Sequence, residues 1–224
     1  MPGIFEVPGQ GSTSTILLRP SDAWALLLLG HGAGAGMRHP FMAGLAGCLA
    51  PLGLATLRYQ FLYMERGRRR PDRAPLLLDT VRAAVAAAGE CCPDLPLLAG
   101  GKSMGGRMTS MAAAERPLAG VRGLVLIGFP LHPAGKPGLS RGHHLDNTSV
   151  PLLFLQGTRD RLADRDLMAE TTTRLGSRAH LEWLEGADHG FHVLKRSGRS
   201  DPEVLSQLGE ALADWGRGLV SSKL

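Results

Sequence analysis

The 224-residue chain predicts an α/β protein: a mostly parallel central sheet with helices on both faces. Three observations carry this. Short apolar runs of strand length alternate with longer segments whose apolar residues recur at helical spacing. Several of the short runs are apolar without alternation, as suits strands covered on both faces. Thirty Gly and 15 Pro punctuate the chain without a fixed triplet period, which excludes collagen and fits many short elements. Strands that alternate with helices imply right-handed crossovers and a parallel sheet.

In order, residues 4–7 and 15–18 read as an opening hairpin. Residues 25–29 are a continuous apolar strand. Residues 41–52 follow as a helix through Phe41, Leu45, Cys48, Leu49 and Leu52. Residues 54–57 are the next strand, and 76–88 a helix through Leu77, Val81, Ala84, Val85 and Ala88. Residues 97–99 are a strand and 104–114 a helix. Strands at 121–127 and 152–155 come next, with 163–174 helical after the second. Residues 181–184 close the sheet, and 202–216 form a last helix with Pro202 in its first turn.

Composition bounds the rest. Hydrophobic residues make up 44% of the chain, which excludes a disordered protein. With 6 Phe, 3 Trp and 2 Tyr, the core must be Leu, Ala and Val. No repeat or low-complexity linker divides the chain, so residues 1–224 are read as a single domain. The net charge is +5, and much of the excess lies in Arg66, Arg68, Arg69, Arg70 and Arg73. Without a basic helix face or interleaved aromatics, this stretch reads as a solvated surface loop rather than a nucleic-acid site. Cys48, Cys91 and Cys92 form no CxxC, and adjacent cysteines are poor disulfide partners, which fits a reducing, cytoplasmic setting. Met1-Pro2-Gly3 opens no signal peptide, and the longest apolar run is too short for a membrane span. The terminal Ser222-Lys223-Leu224 would be a peroxisomal address in a eukaryote; the Ala/Gly/Arg/Leu-rich composition looks bacterial, where it carries no such meaning.

In such a sheet ligands bind beyond the carboxyl ends of the strands. After residues 97–99 comes Gly101-Lys102-Ser103-Met104-Gly105, a G-x-S-x-G pattern between a strand and a helix. A nucleophile raised on a sharp strand-to-helix turn needs neighbours without side chains at −2 and +2. Gly-Lys-Ser also ends a phosphate-binding P-loop, but that motif needs Gly at the position held by Pro96. After residues 25–29 comes Gly30-His31-Gly32-Ala33-Gly34, whose backbone suits an oxyanion loop or simply a tight turn. Ala33 and Met104 are the candidate N–H donors. His31 reads as a structural hydrogen-bonding residue.

Asp160 and His189 each follow a late strand, so Ser103, Asp160 and His189 converge if each stands at the sheet's carboxyl edge. Asp164 and Asp166 compete for the acid and His192 for the base. Asp188 should point away from the imidazole. His143, His144 and Asp146 lack the third spaced ligand of a metal site, so neither metal nor cofactor is expected. Tyr59 and Phe61, beyond a strand end, are read as lining an acyl pocket or forming a small satellite core. The long insertion at 129–150, with Leu131 and His132, is expected to cover part of the cleft as a loop. Lys102 and Arg107 flank Ser103, either to recognise an anionic group or in a structural role.

These segments resemble the α/β-hydrolase superfamily, near the dienelactone-hydrolase-like group. They are most similar to the family of testis-expressed hydrolase-like proteins and a regulatory subunit of the NSL acetyltransferase complex. The resemblance rests on His31-Gly32-Ala33-Gly34, the Ser103 elbow, Leu131-His132-Pro133 with Gly135-Lys136-Pro137, Gln156-Gly157-Thr158-Arg159-Asp160, and Asp188-His189. It implies an α/β-hydrolase fold, and the insertion at 129–150 is too short for a separate lid domain. It also implies a Ser103–His189–Asp160 triad but no substrate; the chemistry of these three residues is read as that of a serine hydrolase acting on a small-molecule acyl ester or thioester. Dienelactone hydrolases proper carry Cys where Ser103 stands, so their substrate is not implied. Some relatives act as complex subunits, so a non-catalytic interaction module is the alternative.

Overall fold

The computed structural model describes residues 2–221. The tripeptide Ser222-Lys223-Leu224 lies outside the described residues. Eight strands form one sheet in the order β1-β2-β4-β3-β5-β6-β7-β8. They are β1 (Pro2–Val7), β2 (Gly11–Leu18), β3 (Ala25–Gly30), β4 (Leu54–Tyr59), β5 (Leu97–Lys102), β6 (Val121–Ile127), β7 (Leu152–Gly157) and β8 (Ala179–Leu184). The opening hairpin β1–β2 is antiparallel and joins β4 antiparallel; the remaining pairs are parallel.

The apolar runs are explained by burial on both faces. Leu26 and Leu28 of β3 pack against α3 (Ala74–Cys91) and α4 (Met104–Glu115), in a core layer that α5 (Arg165–Leu175) extends beside β8. Leu27 and Leu29 point the other way, against α1 (Pro40–Leu49) and α6 (Asp201–Ser221). The same alternation divides β6, with Leu124 and Leu126 on one side and Val125 and Ile127 on the other. Leucine fills both layers, as the scarcity of aromatics requires.

Every strand and long helix read from the sequence is present, with boundaries displaced by a few residues. A short α2 (Leu62–Glu65) follows β4. β3 is the point at which the order reverses: β4 lies on one side of it and β5 on the other. A crevice forms at such a switch point, beyond the carboxyl ends of the two strands. The loop after β3 and the turn after β5 therefore face each other there. No helix among the described residues is long and apolar enough to cross a membrane.

Candidate functional site

Ser103 is the residue between β5 and α4, and its backbone sits at φ 52, ψ −112, a left-handed conformation unusual for a side-chain-bearing residue. Its glycine neighbours are required by space. A Cβ on Gly101 would stand 2.3 Å from the carbonyl oxygen of Gly30, and one on Gly105 would meet the same oxygen at 2.3 Å. The obstacles are backbone atoms of β3, which cannot rotate aside. The turn is thereby pressed against the β3 loop, where a Cβ added to Gly32 would stand 3.7 Å from the Cβ of Ser103.

Three side chains from three strand ends form one hydrogen-bonded chain. Ser103 Oγ and His189 Nε2 are 2.9 Å apart, and His189 Nδ1 lies 2.7 Å from Asp160 Oδ2. Because the carboxylate accepts, Nδ1–H donates and Nε2 is left to accept the serine hydroxyl proton. Asp160 has a fully buried side chain, while His189 is partly open to solvent. The carboxylate is held by two further donors: Leu162 N–H at 2.8 Å and the Gln156 amide at 2.6 Å. Gln156 in turn accepts from Phe129 N–H at 2.9 Å, which fixes its orientation.

The competing residues are engaged elsewhere. Asp164 caps α5 by accepting from Asp166 and Leu167 N–H. Asp188 accepts from Gly190 and His192 N–H, holding the turn that carries His189. His192 pairs with Asp201 at 2.8 Å on the surface. His144 is bonded to Ser110 Oγ at 2.8 Å, and Asp146 pairs with Arg174. His31 is buried; it donates from Nδ1 to Gly32 O and accepts Phe61 N–H at Nε2, so it ties the β3 loop to the end of β4. Burial lowers its pKa to about 4.

Lys102 is engaged within the chain while lining the cleft at Ser103. Its ammonium donates to the carbonyl oxygen of His189 at 2.6 Å and lies over the rings of Phe191 and Phe41. Burial lowers its pKa to about 8, opposed by the nearby charges of Asp160 and Asp188. In the arginine-rich stretch, Arg68 pairs with Asp72 at 3.4 Å and Arg66 reaches the carbonyl of Gln10.

The hydroxyl of Ser103 opens on a cleft of about 370 Å³, lined by Ala33, Ala35, His39, Phe41, Met42 and Leu162 among others. Ala33 is thus at the cleft wall, and Met104 opens α4, where a first-turn N–H has no acceptor within its helix. The four residues expected to bind substrate do not line this cleft. Tyr59, Phe61 and Leu131 are wholly buried in the sheet–helix core, because β4 runs on to Tyr59 and the chain then turns inward. His132 is buried as well; Asp164 N–H donates to its Nε2 at 2.9 Å, which anchors the insertion to the start of α5. The insertion at 129–150 packs through Leu131, Leu139 and Leu145 into the core rather than over Ser103. Sequence reading missed His39, which caps α1, and Phe41 and Met42, since an apolar residue opening a helix gives no sign that it faces a cleft. It also missed Gln156 as a partner of the acid, although its place four residues before Asp160 was visible.

A strained serine at the switch point of this sheet, linked to imidazole and carboxylate, defines an α/β-hydrolase fold. A family profile described as Alpha/beta hydrolase domain matches residues 23–217, and the chain belongs to that family. Solved structures share the architecture. Est1E from Butyrivibrio proteoclasticus, solved with ferulic acid bound, superposes with a TM-score of 0.78 at 16% identity, covering 98% of this chain and 100% of its own. A dienelactone hydrolase from Anabaena variabilis gives 0.73 at 22% identity, covering 97% of this chain and 98% of its own. A serine hydrolase without a lid from Xanthomonas campestris gives 0.74 at 19%, covering 96% and 94%. At these identities the likeness is one of fold.

Proposed function

We propose that this chain is a serine hydrolase cleaving a small-molecule acyl ester or thioester through an acyl-enzyme. The observation that carries this is the continuous path from Ser103 Oγ through His189 to Asp160, with contacts of 2.9 and 2.7 Å. In this reading His189 takes the hydroxyl proton as Ser103 attacks the acyl carbonyl. Asp160 holds the tautomer and stabilises the imidazolium that forms. The N–H groups of Ala33 and Met104 receive the oxyanion, each such donor being worth about 3–4 kcal/mol. His189 then returns its proton to the leaving group and activates the water that frees the acid. Neither metal nor cofactor has a step in this scheme.

Within the family, the Gly-Lys-Ser-Met-Gly and Gln-Gly-Thr-Arg-Asp segments support a kinship with the testis-expressed hydrolase-like group, and a cytoplasmic enzyme is the setting we infer. A fluorophosphonate probe and a p-nitrophenyl ester test the reading. Covalent labelling at Ser103 is expected, lost in His189→Ala. Ester turnover in Ser103→Ala should fall by several orders of magnitude. Absence of both labelling and turnover in the native chain would instead mark an interaction module on a hydrolase scaffold.

A further inference from the structure

A neighbouring space shares part of its wall with the cleft at Ser103. Phe41 and Gly190 line it, and the same two residues line a second cavity of about 390 Å³. This second space opens between α1 and α6, bounded by Gly44, Cys48, Phe191, Pro202 and Leu205. No step of the hydrolytic chemistry uses it.

The ridge between the two spaces is firmly built. Phe41 and Phe191 stack with ring centroids 5.4 Å apart and planes 24° from parallel. The Lys102 ammonium lies 5.9 and 5.3 Å from the two centroids. Phe191 is held at φ 65, a conformation that costs about 1–3 kcal/mol in a residue with a side chain. The second cavity also offers little to a polar guest. Its charged lining residue is Asp201, and that carboxylate is already bonded to His192 Nδ1 at 2.8 Å and Val193 N–H at 3.0 Å. A polar arm would lose water there without gaining partners, whereas an apolar arm gains by leaving water.

We propose that the α1–α6 cavity is a subsite for an elongated apolar arm of the substrate, running from Ser103 across the Phe41 ridge. The preferred substrates are then esters carrying a medium-length alkyl or aryl arm rather than small acetyl esters. Each of the two spaces falls within the usual range for small-molecule sites, about 300–1,000 Å³. This inference rests on the serine hydrolase reading above.

Two substrate series separate the acyl from the alcohol arm: p-nitrophenyl acetate against octanoate, and methyl acetate against octyl acetate. A buried methylene is worth about fourfold in kcat/KM. One series should therefore rise at least tenfold from its short to its long member, identifying the arm. Leu205→Trp fills the cavity from α6 and should lower that long-to-short ratio at least tenfold. Cys48→Phe fills it from α1 and serves as the second variant where fluorophosphonate labelling shows that the first has not folded. A wild-type ratio near one in both series, or a ratio unmoved by the folded filling variant, overturns the subsite. Acetate cleavage that depends on Ser103 but shows no chain preference defeats this inference alone. Failure of every ester and of the probe defeats the hydrolase reading with it.

Discussion

Lys102 and His189 are 87 positions apart in sequence, yet the ammonium of one donates to the main-chain carbonyl of the other at 2.6 Å. The residue next to Ser103 thereby clamps the loop that carries His189. A cation this deeply buried is costly, and depression of its pKa to about 8 reflects that cost. Lys102→Met should remove the clamp while keeping the stem's apolar packing. A misplacement of about 1 Å costs up to about 100-fold in rate. Steady-state kinetics on a short ester are expected to show a fall of that order in kcat with KM little changed. A purely structural lysine would instead lower the melting temperature and leave the kcat of the folded fraction intact.

Gln156 holds Asp160 as Lys102 holds His189. Its amide donates to Asp160 at 2.6 Å, and its carbonyl satisfies the buried N–H of Phe129. Gln156→Leu strands that N–H, at about 1–3 kcal/mol of stability, and frees one carboxylate lone pair. Denaturant unfolding should register the first loss and single-turnover acylation the second. A variant that loses stability yet acylates at the native rate would show that Gln156 acts on the fold alone.

The glycines of the elbow predict a contrast within one residue type. Gly105→Ala places a Cβ 2.3 Å from the Gly30 oxygen, so β3 and α4 must separate, at about 1–3 kcal/mol or more. Gly47, inside α1, has open space around its would-be Cβ. Gly47→Ala should stabilise by about 0.5–1 kcal/mol through helix propensity. Thermal melts of the two variants, moving in opposite directions from the native value, are the expected result.

These effects explain how far the sequence could be read. The strands were legible because burial on both faces leaves continuous runs such as Ala25 to Leu29, which few other structures produce. Ser103 and Asp160 stood out because each follows such a run, whereas His189 follows β8, a half-exposed strand that His180 and Glu182 interrupt. Tyr59 and Phe61 were not, since an aromatic after a strand reads equally well as pocket or core. Their placement depends on β4 extending two residues further and on the single turn of α2, too short to show a helical period. The cleft wall formed by Phe41 and Met42 was hidden for a related reason: helical spacing names the apolar face but not which of its residues the facing elements leave uncovered.

Acid should weaken the fold through two histidines outside the proposed chemistry. Burial holds His31 neutral, with its pKa lowered from 6.5 to about 4. His144 is lowered to about 4 as well, chiefly by burial and then by the charge of Arg107. In the unfolded chain both regain the ordinary value, so between pH 6.5 and 4 the unfolded state binds more protons. Stability is then full above pH 6.5 and falls as pH drops through that window. The slope is up to about 1.4 kcal/mol per pH unit for each histidine. His31→Gln retains an acceptor for Phe61 N–H but cannot take up the proton. Urea midpoints between pH 7 and 4.5 should decline less steeply for this variant than for the native protein. Parallel curves would mean that His31 is protonated as readily in the folded chain as in the unfolded one, contrary to its burial against Phe61 and Gly32.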